Sequence, residues 1–190
     1  MLVGLYLLVL GPEFLGWWIG PSFVEPSGRV LQVLMISFLL YLPVRGVALP
    51  ILLGFGQPAR PAIALLGMGV VNLVLSIALV GSMGIFGVAL GTAITNVLFA
   101  AVILVMACRA LGVGVGEYLA YVTGRTLVGA LAPLALLAWL KYGLHVEGIV
   151  PLVLAGVAMV VVFASTWILF VFKGDPYLDL HAAFARLRRA

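Results

Sequence analysis

Long apolar runs follow one another along the whole chain, separated by short stretches that contain glycine, proline and most of the charged residues. Runs of more than about 18 apolar residues are long enough to cross the hydrocarbon core of a membrane as helices. They lack the alternation of polar and apolar residues that is typical of barrel strands. The pattern predicts an all-α, polytopic integral membrane helical bundle with about six transmembrane helices. The predicted spans are residues 2–19, 29–54, 62–82, 85–108, 126–143 and 148–172.

Composition supports a membrane protein. Of the 190 residues, 65% are hydrophobic and only 8% are charged, whereas a soluble domain carries roughly a quarter charged residues. The N-terminal apolar run has neither a basic start nor a small-residue cleavage site, so we do not expect a cleaved signal peptide. The single cysteine, Cys108, excludes an intramolecular disulfide. Because the basic residues lie mainly between spans, we interpret the positive net charge as a sign of membrane topology and expect no nucleic-acid partner.

The lysines and arginines predict the orientation of the chain. Arg29 and Lys141 fall on one side of the membrane, and Arg45 falls within a span. The remaining basic residues fall on the other side: Arg60, Arg109, Arg125, Lys173, Arg186, Arg188 and Arg189. Positive charge concentrates in the cytoplasm, so both termini of this chain are expected there, with the spans in the inner (plasma) membrane. The polar, basic segment 173–190 is then a cytoplasmic tail.

The glycines of the third and fourth spans predict a helical hairpin. Only two or three residues separate these spans, so the two helices must lie antiparallel and adjacent. Gly87 and Gly91 form a G-x-x-x-G face, and Gly84 extends it by a further turn. In lipid, close approach of helices depends on such small residues. Gly81 and Gly84 would also relieve the tight turn.

Three polar residues within predicted spans are candidate substrate contacts. An amide in the bilayer must find a hydrogen-bond partner or line a wet cavity, so Asn72 and Asn96 either join helices or contact a substrate. Arg45 lies roughly 13 Å from the cytoplasmic end of its span, where a charge costs on the order of 3 kcal/mol. It either pairs with an anionic group in another part of the protein or binds phosphate, for which a guanidinium is suited. Pro43 and Gly46 beside it predict a bent helix.

The acidic and histidine residues do not indicate an enzyme. Glu13 lies close to Trp17 and Trp18, and it belongs either to the membrane interface or to a proton or sodium pathway. The other candidates have no neighbours at the spacing of a metal site or a catalytic triad; they are Glu117, His145, Glu147 and His181. Paired acids, an activated nucleophile and a phosphate-binding loop are also missing from the sequence. We therefore expect neither an enzyme activity nor a cofactor.

Four segments in a fixed order resemble a transporter family. They are "FLGWWIGPSF" (14–23), "ILLGFGQPARPA" (51–62), "VVNLVLSIALV" (70–80) and "GIFGVALGTAITN" (84–96). Together they resemble the C-terminal half of the polysaccharide and lipid-linked oligosaccharide flippases, which belong to the multidrug/oligosaccharidyl-lipid/polysaccharide flippase superfamily. The resemblance covers about residues 2–172.

The resemblance implies that residues 1–172 form the C-terminal lobe of a two-lobed flippase fold. The chain would be a fragment whose partner is the missing N-terminal half or a second copy. The implied function is the translocation of glycans linked to polyprenyl pyrophosphate, for cell-envelope polysaccharide or lipopolysaccharide, with Arg45, Asn72 and Asn96 at the substrate. Two alternatives stay open: a cation-coupled multidrug exporter of the same superfamily, and a non-transporting membrane scaffold in polysaccharide assembly.

Overall fold

Every regular element in the described part of the chain is helical. The computed structural model describes residues 1–144, 146 and 148–172; the predicted tail 173–190, His145 and Glu147 lie outside them. The elements are α1 (Leu2–Trp18), a short 3-10 helix (Pro21–Phe23), α2 (Val24–Gly54), α3 (Ala59–Leu111), α4 (Val115–Leu144), α5 (Ile149–Thr166) and a π-helix (Trp167–Phe172).

The length and composition of these helices fit a membrane-spanning bundle. Within the described residues, four helical stretches are long and apolar enough to cross a membrane: Pro21–Gly54, Ala59–Leu111, Val115–Leu144 and Ile149–Phe170. The shorter α1 has 17 residues and is also apolar. The all-helical prediction is thus confirmed, and the apolar surface of the bundle is what lipid requires.

Helix α3 folds back on itself at Gly84. This glycine has φ 58° and ψ −140° inside an otherwise helical run, a backbone conformation that glycine adopts without a steric penalty. It divides α3 into a first arm (59–83) and a second arm (85–111). The Thr92 hydroxyl lies 3.4 Å from Oδ1 of Asn72, although a straight helix would separate these residues by about 30 Å. The predicted antiparallel hairpin is confirmed.

Two glycines of the second arm allow the arms to touch. A Cβ atom on Gly87 would lie 2.5 Å from the carbonyl oxygen of Leu79, and one on Gly91 would lie 3.1 Å from Oγ of Ser76. A Cβ atom on Gly84 would meet nothing within 4 Å. The G-x-x-x-G face is therefore confirmed for Gly87 and Gly91. Its extension to Gly84 is wrong, because that residue makes the turn instead of the contact.

The interior consists of two hydrophobic clusters. The first joins α1, α4 and α5 and contains Leu5, Leu10, Ala130, Leu137, Val146, Leu152, Ala155 and Met159. The second joins α2 to α3 and contains Ala48, Leu52, Phe99, Ile103 and Ala107. The clusters meet chiefly where α1 packs on α2. Glycine again permits the approach, since a Cβ atom on Gly11 would lie 2.5 Å from Leu31.

Helix α4 begins earlier than the sequence indicated. The predicted fifth span is 126–143, with a long connection before it, but α4 starts at Val115. Gly112 ends α3 in the left-handed conformation, with φ 70°, and the chain re-enters a helix three residues later. Tyr118 and Tyr121 therefore belong to the first turns of α4.

We expect Gly87→Ala to destabilise the hairpin, because the added methyl group would lie 2.5 Å from a backbone carbonyl oxygen of the first arm, and the two arms would have to move apart to accommodate it. The free energy of unfolding should fall by about 1–3 kcal/mol, as for other overpacked contacts. Gly69→Ala is the matched control, since a Cβ atom there meets nothing within 4 Å; it should be neutral or stabilising by up to about 1 kcal/mol. Thermal unfolding in detergent, followed by circular dichroism, measures both. Equal midpoints for the two variants would contradict the packing described here.

Candidate functional site

Arg45 lies on the outer face of the bundle. It is exposed, and nine residues of α2 follow it before the helix ends at Gly54. Its guanidinium carbon is 5.7 Å from the centroid of the Tyr41 ring, one turn earlier. The ion pairs among the described residues are Arg29–Glu25 and Lys141–Glu13, so Arg45 has no carboxylate partner there. Charged side chains within spans nearly always face other protein or a water-filled cavity, so this face of α2 is a candidate functional surface.

Asn72 and Asn96 each join two helical segments. Oδ1 of Asn72 accepts hydrogen bonds from Ser76 at 3.2 Å and from Thr92 at 3.4 Å, so it links the two arms of α3. Nδ2 of Asn96 donates to Oγ of Ser37 at 3.4 Å and links the second arm to α2. Both side chains therefore serve as interhelical hydrogen bonds, one of their two predicted roles.

The three predicted site residues do not contact one another in the described structure. Arg45 follows Ser37, the partner of Asn96, by eight residues, or roughly 12 Å of helix rise. Asn72 is bonded within the hairpin. Substrate contact by all three stays a prediction.

An ion pair between α1 and α4 was not foreseen. Nζ of Lys141 lies 3.0 Å from Oε1 of Glu13, with side chains only 19% and 26% exposed. The same ammonium group donates to the carbonyl oxygen of Val9 at 2.8 Å. From the sequence, Glu13 is assigned either to the membrane interface or to a proton or sodium pathway, and Lys141 serves only to predict orientation, so the sequence alone does not join the two residues. The available signal was that opposite charges fall near the same predicted side of the membrane.

Pro12 explains a second polar contact of α1. Proline has no N–H group, so it leaves the carbonyl group four residues earlier, that of Leu8, without its helical partner. Nε2 of Gln32, on α2, donates to this oxygen at 3.1 Å. Gly28 of α2 lies against the proline ring, since a Cβ atom there would be 3.0 Å from Cβ of Pro12. The hydrogen bond that Pro12 removes from α1 is thus replaced by one from a side chain of α2.

A third polar contact joins α1 to α5. The Tyr6 hydroxyl donates to the carbonyl oxygen of Leu152 at 2.8 Å. Helix α1 is therefore bonded through side chains to α2, α4 and α5. Interhelical hydrogen bonds of this kind supply part of the association energy that the hydrophobic effect does not provide in lipid.

The carboxylate of Glu13 is only half satisfied. Its Oε2 atom is buried and accepts no hydrogen bond from the described residues. Buried polar groups that lack a partner are costly in a low-dielectric environment. Among the described residues, no group of three His, Cys, Asp or Glu side chains is placed to hold a metal ion.

An apolar groove separates α2 from the second arm of α3. The groove has a volume of about 420 Å³. The side chains that line it are hydrocarbon except for that of Ser37; the lining residues are Val33, Ile36, Ser37, Leu90, Ala93, Ile94, Val97 and Leu98. A groove of this composition accommodates lipid chains and offers little to a polar ligand.

Comparison of the chain with protein-family models, curated proteins and solved structures finds no match. These comparisons show no family for the chain, so the family resemblance of the four quoted segments supports a proposal and no more.

We expect Lys141→Met to destabilise the bundle, because it leaves the Glu13 carboxylate without its counter-charge. The loss should be about 3 kcal/mol, the low end for breaking a buried pair, since these side chains are partly exposed. The double variant Glu13→Gln, Lys141→Met should recover much of that loss because it leaves no unpaired charge. Arg29→Met is the control: it breaks the exposed pair with Glu25 and should cost less than about 1 kcal/mol. Thermal unfolding in detergent measures the midpoint of each variant. Equal midpoints for Lys141→Met and Arg29→Met would show that the α1–α4 ion pair is not a buried interaction.

Proposed function

We propose that the chain translocates lipid-linked oligosaccharide or polysaccharide precursors, as the C-terminal part of a larger transporter that works by alternating access. The observation that carries this proposal is the position of Arg45, a charged and exposed side chain within a membrane helix, nine residues before the helix ends at Gly54. The order of the four family-like segments supports it. The proposed setting is the inner (plasma) membrane, with both ends of the chain in the cytoplasm.

The surroundings of Arg45 fit an anionic headgroup. Among the described residues Arg45 forms neither an ion pair nor a hydrogen bond, and its guanidinium lies over the Tyr41 ring, so its N–H groups remain available for a ligand. A planar guanidinium matches phosphate oxygens in a bidentate manner, and such charge-assisted bonds are stronger than neutral ones. The pyrophosphate of a lipid-linked glycan supplies these oxygens at the depth where an isolated charge is unfavourable.

The exposed side of α2 provides one wall of the proposed cavity. A charge within a span needs water or protein opposite it, and the described helices leave this side of Arg45 open. In our proposal the N-terminal half of the transporter, or a second copy of the chain, forms the facing wall. Rocking of the two halves would then move the headgroup across while its polyprenyl chain stays in hydrocarbon.

The acid of α1 gives little support to the drug-exporter alternative. A cation-coupled exporter needs a carboxylate that is free to bind a cation within the membrane. Glu13 is instead bound to Lys141 at 3.0 Å. The charge that is exposed well inside α2, that of Arg45, is cationic, which favours an anionic substrate.

We expect Arg45→Ala to slow translocation about tenfold or more, which corresponds to the loss of a charged hydrogen bond. Arg45→Lys should be intermediate because it keeps the charge but loses the planar fork. The assay uses vesicles from cells that make the chain naturally, so that any second half is present. It follows a fluorescent disaccharide linked to polyprenyl pyrophosphate as it becomes protected from a membrane-impermeant quencher.

Arg29→Ala is the matched control, since Arg29 lies on the same helix and is exposed. It should flip the probe at close to the wild-type rate, and the amount of each variant in the membrane must be equal. A wild-type rate for Arg45→Ala would overturn the proposed role of Arg45. Protection of the probe that does not depend on the chain at all would favour the scaffold alternative.

A further inference from the structure

We propose that the outer part of α1, residues 13–18, is a latch segment that hinges at Pro12 and is closed by the Glu13–Lys141 ion pair. When the pair separates, the outer ends of α1 and α4 come apart. The inference deepens the proposed function by assigning an outer gate to the transporter. The hinge itself is argued from the structure alone, and only its role as a gate rests on the proposed function. It is supported by four features of α1.

The first feature is the uneven packing of α1 on the two sides of Pro12. Its buried residues are Leu5, Leu10, Gly11 and Pro12 itself, and none follows Pro12. The three side-chain hydrogen bonds that anchor α1 also lie on the N-terminal side; they run from Tyr6 to α5, from Gln32 of α2 to Leu8, and from Lys141 of α4 to Val9. The latch segment also touches the bundle, since Phe14 packs against the cluster of α1, α4 and α5 and a Cβ atom on Gly16 would lie 2.6 Å from Val24. It is nevertheless packed less closely than the first part of the helix, because none of its residues is fully buried.

The second feature is the proline hinge. Pro12 removes one helical hydrogen bond directly before the latch segment. Breaks in membrane helices are tolerated where neighbouring side chains satisfy the freed backbone groups. Gln32 does this for the Leu8 carbonyl oxygen at 3.1 Å, and this bond need not change when the latch segment moves.

The third feature is that the ion pair is poorly satisfied. Oε2 of Glu13 is buried without a partner among the described residues. A half-satisfied polar contact is a weak stabiliser compared with a fully bonded one or an apolar pair. Such a contact suits an element whose closed state is preferred only moderately, so that loss of one charge shifts the balance toward the open state.

The fourth feature is the position of the pair near helix ends. Glu13 precedes the end of α1 by five residues, and Lys141 precedes the end of α4 by three. These intervals are roughly 7.5 Å and 4.5 Å of helix rise. Both side chains are already partly exposed, so water can solvate the two charges as they separate, which lowers the cost of opening.

The test measures the distance between spin labels on cysteines placed at Trp18 and Ile85, in the full chain with Cys108→Ala, reconstituted in lipid nanodiscs. Both positions are exposed, at 66% and 73%, so the labels should not disturb packing. Trp18 reports the latch segment, and Ile85 reports the tip of the α3 hairpin. No substrate is needed, so a failure of the latch is distinguished from a failure of the proposed function.

Glu13→Gln is expected to populate a second distance at least several-fold more than the unsubstituted pair does. The exchanged pair, Glu13→Lys with Lys141→Glu, should restore the original distribution. Glu25→Gln is the matched control: it neutralises the exposed ion pair of α2 and should change nothing. A folded Glu13→Gln variant with the original single distance would overturn the latch, because the pair would then only stabilise the fold.

A cross-linking experiment keeps the proposal testable if Glu13→Gln does not fold. Cysteines at Glu13 and Lys141, again with Cys108→Ala, are bridged by a reducible bifunctional thiosulfonate in the flipping assay. The bridged chain should lose flipping, and a reductant should restore it. Flipping at the full rate with the bridge intact would overturn the latch while leaving the proposed function in place.

Discussion

The membrane interior offers no water to a polar group, so each buried polar atom of this bundle must find its partner inside the protein. Helix α1 shows the constraint most clearly. Pro12 leaves the Leu8 carbonyl oxygen unbonded, and Gln32 of α2 supplies the missing donor. Tyr6 and Lys141 add bonds to α5 and α4. Since apolar side chains gain little by leaving lipid for one another, these few contacts determine which helices α1 joins.

The same constraint organises the hairpin. Gly87 and Gly91 bring the arms of α3 close enough for Asn72 to accept a hydrogen bond from Thr92, and Asn96 connects the hairpin to α2. Arg45 is the exception, because its charge faces outward with only an aromatic ring beside it. Among the described residues, the Arg45 guanidinium has neither an ion pair nor a hydrogen bond, and the contrast with the bonded Asn72 and Asn96 is the basis of the proposed headgroup contact.

The features that the sequence predicted are local ones. Apolar runs indicate membrane helices, and the spacing of Gly87 and Gly91 indicates a close helix contact, because both patterns depend on neighbouring residues alone. The Glu13–Lys141 pair could not be predicted in this way, since its two residues belong to helices distant in the chain and meet only through packing. The early start of α4 was not predicted, because a glycine-rich stretch precedes Tyr118 and glycine disfavours a helix; in the structure only residues 112–114 separate α3 from α4.

A measurement of the contact between Glu13 and Lys141 tests this description of the bundle most directly. The contact places two partly buried charges together and joins α1 to α4. Solid-state NMR on the chain in lipid bilayers, with ¹⁵N at Nζ of Lys141 and ¹³C at the Glu13 carboxyl carbon, measures their dipolar coupling. The account predicts a separation near or below about 4 Å, as expected for an ion pair. No measurable coupling in the folded protein would contradict it, because α1 and α4 would then not be joined as described.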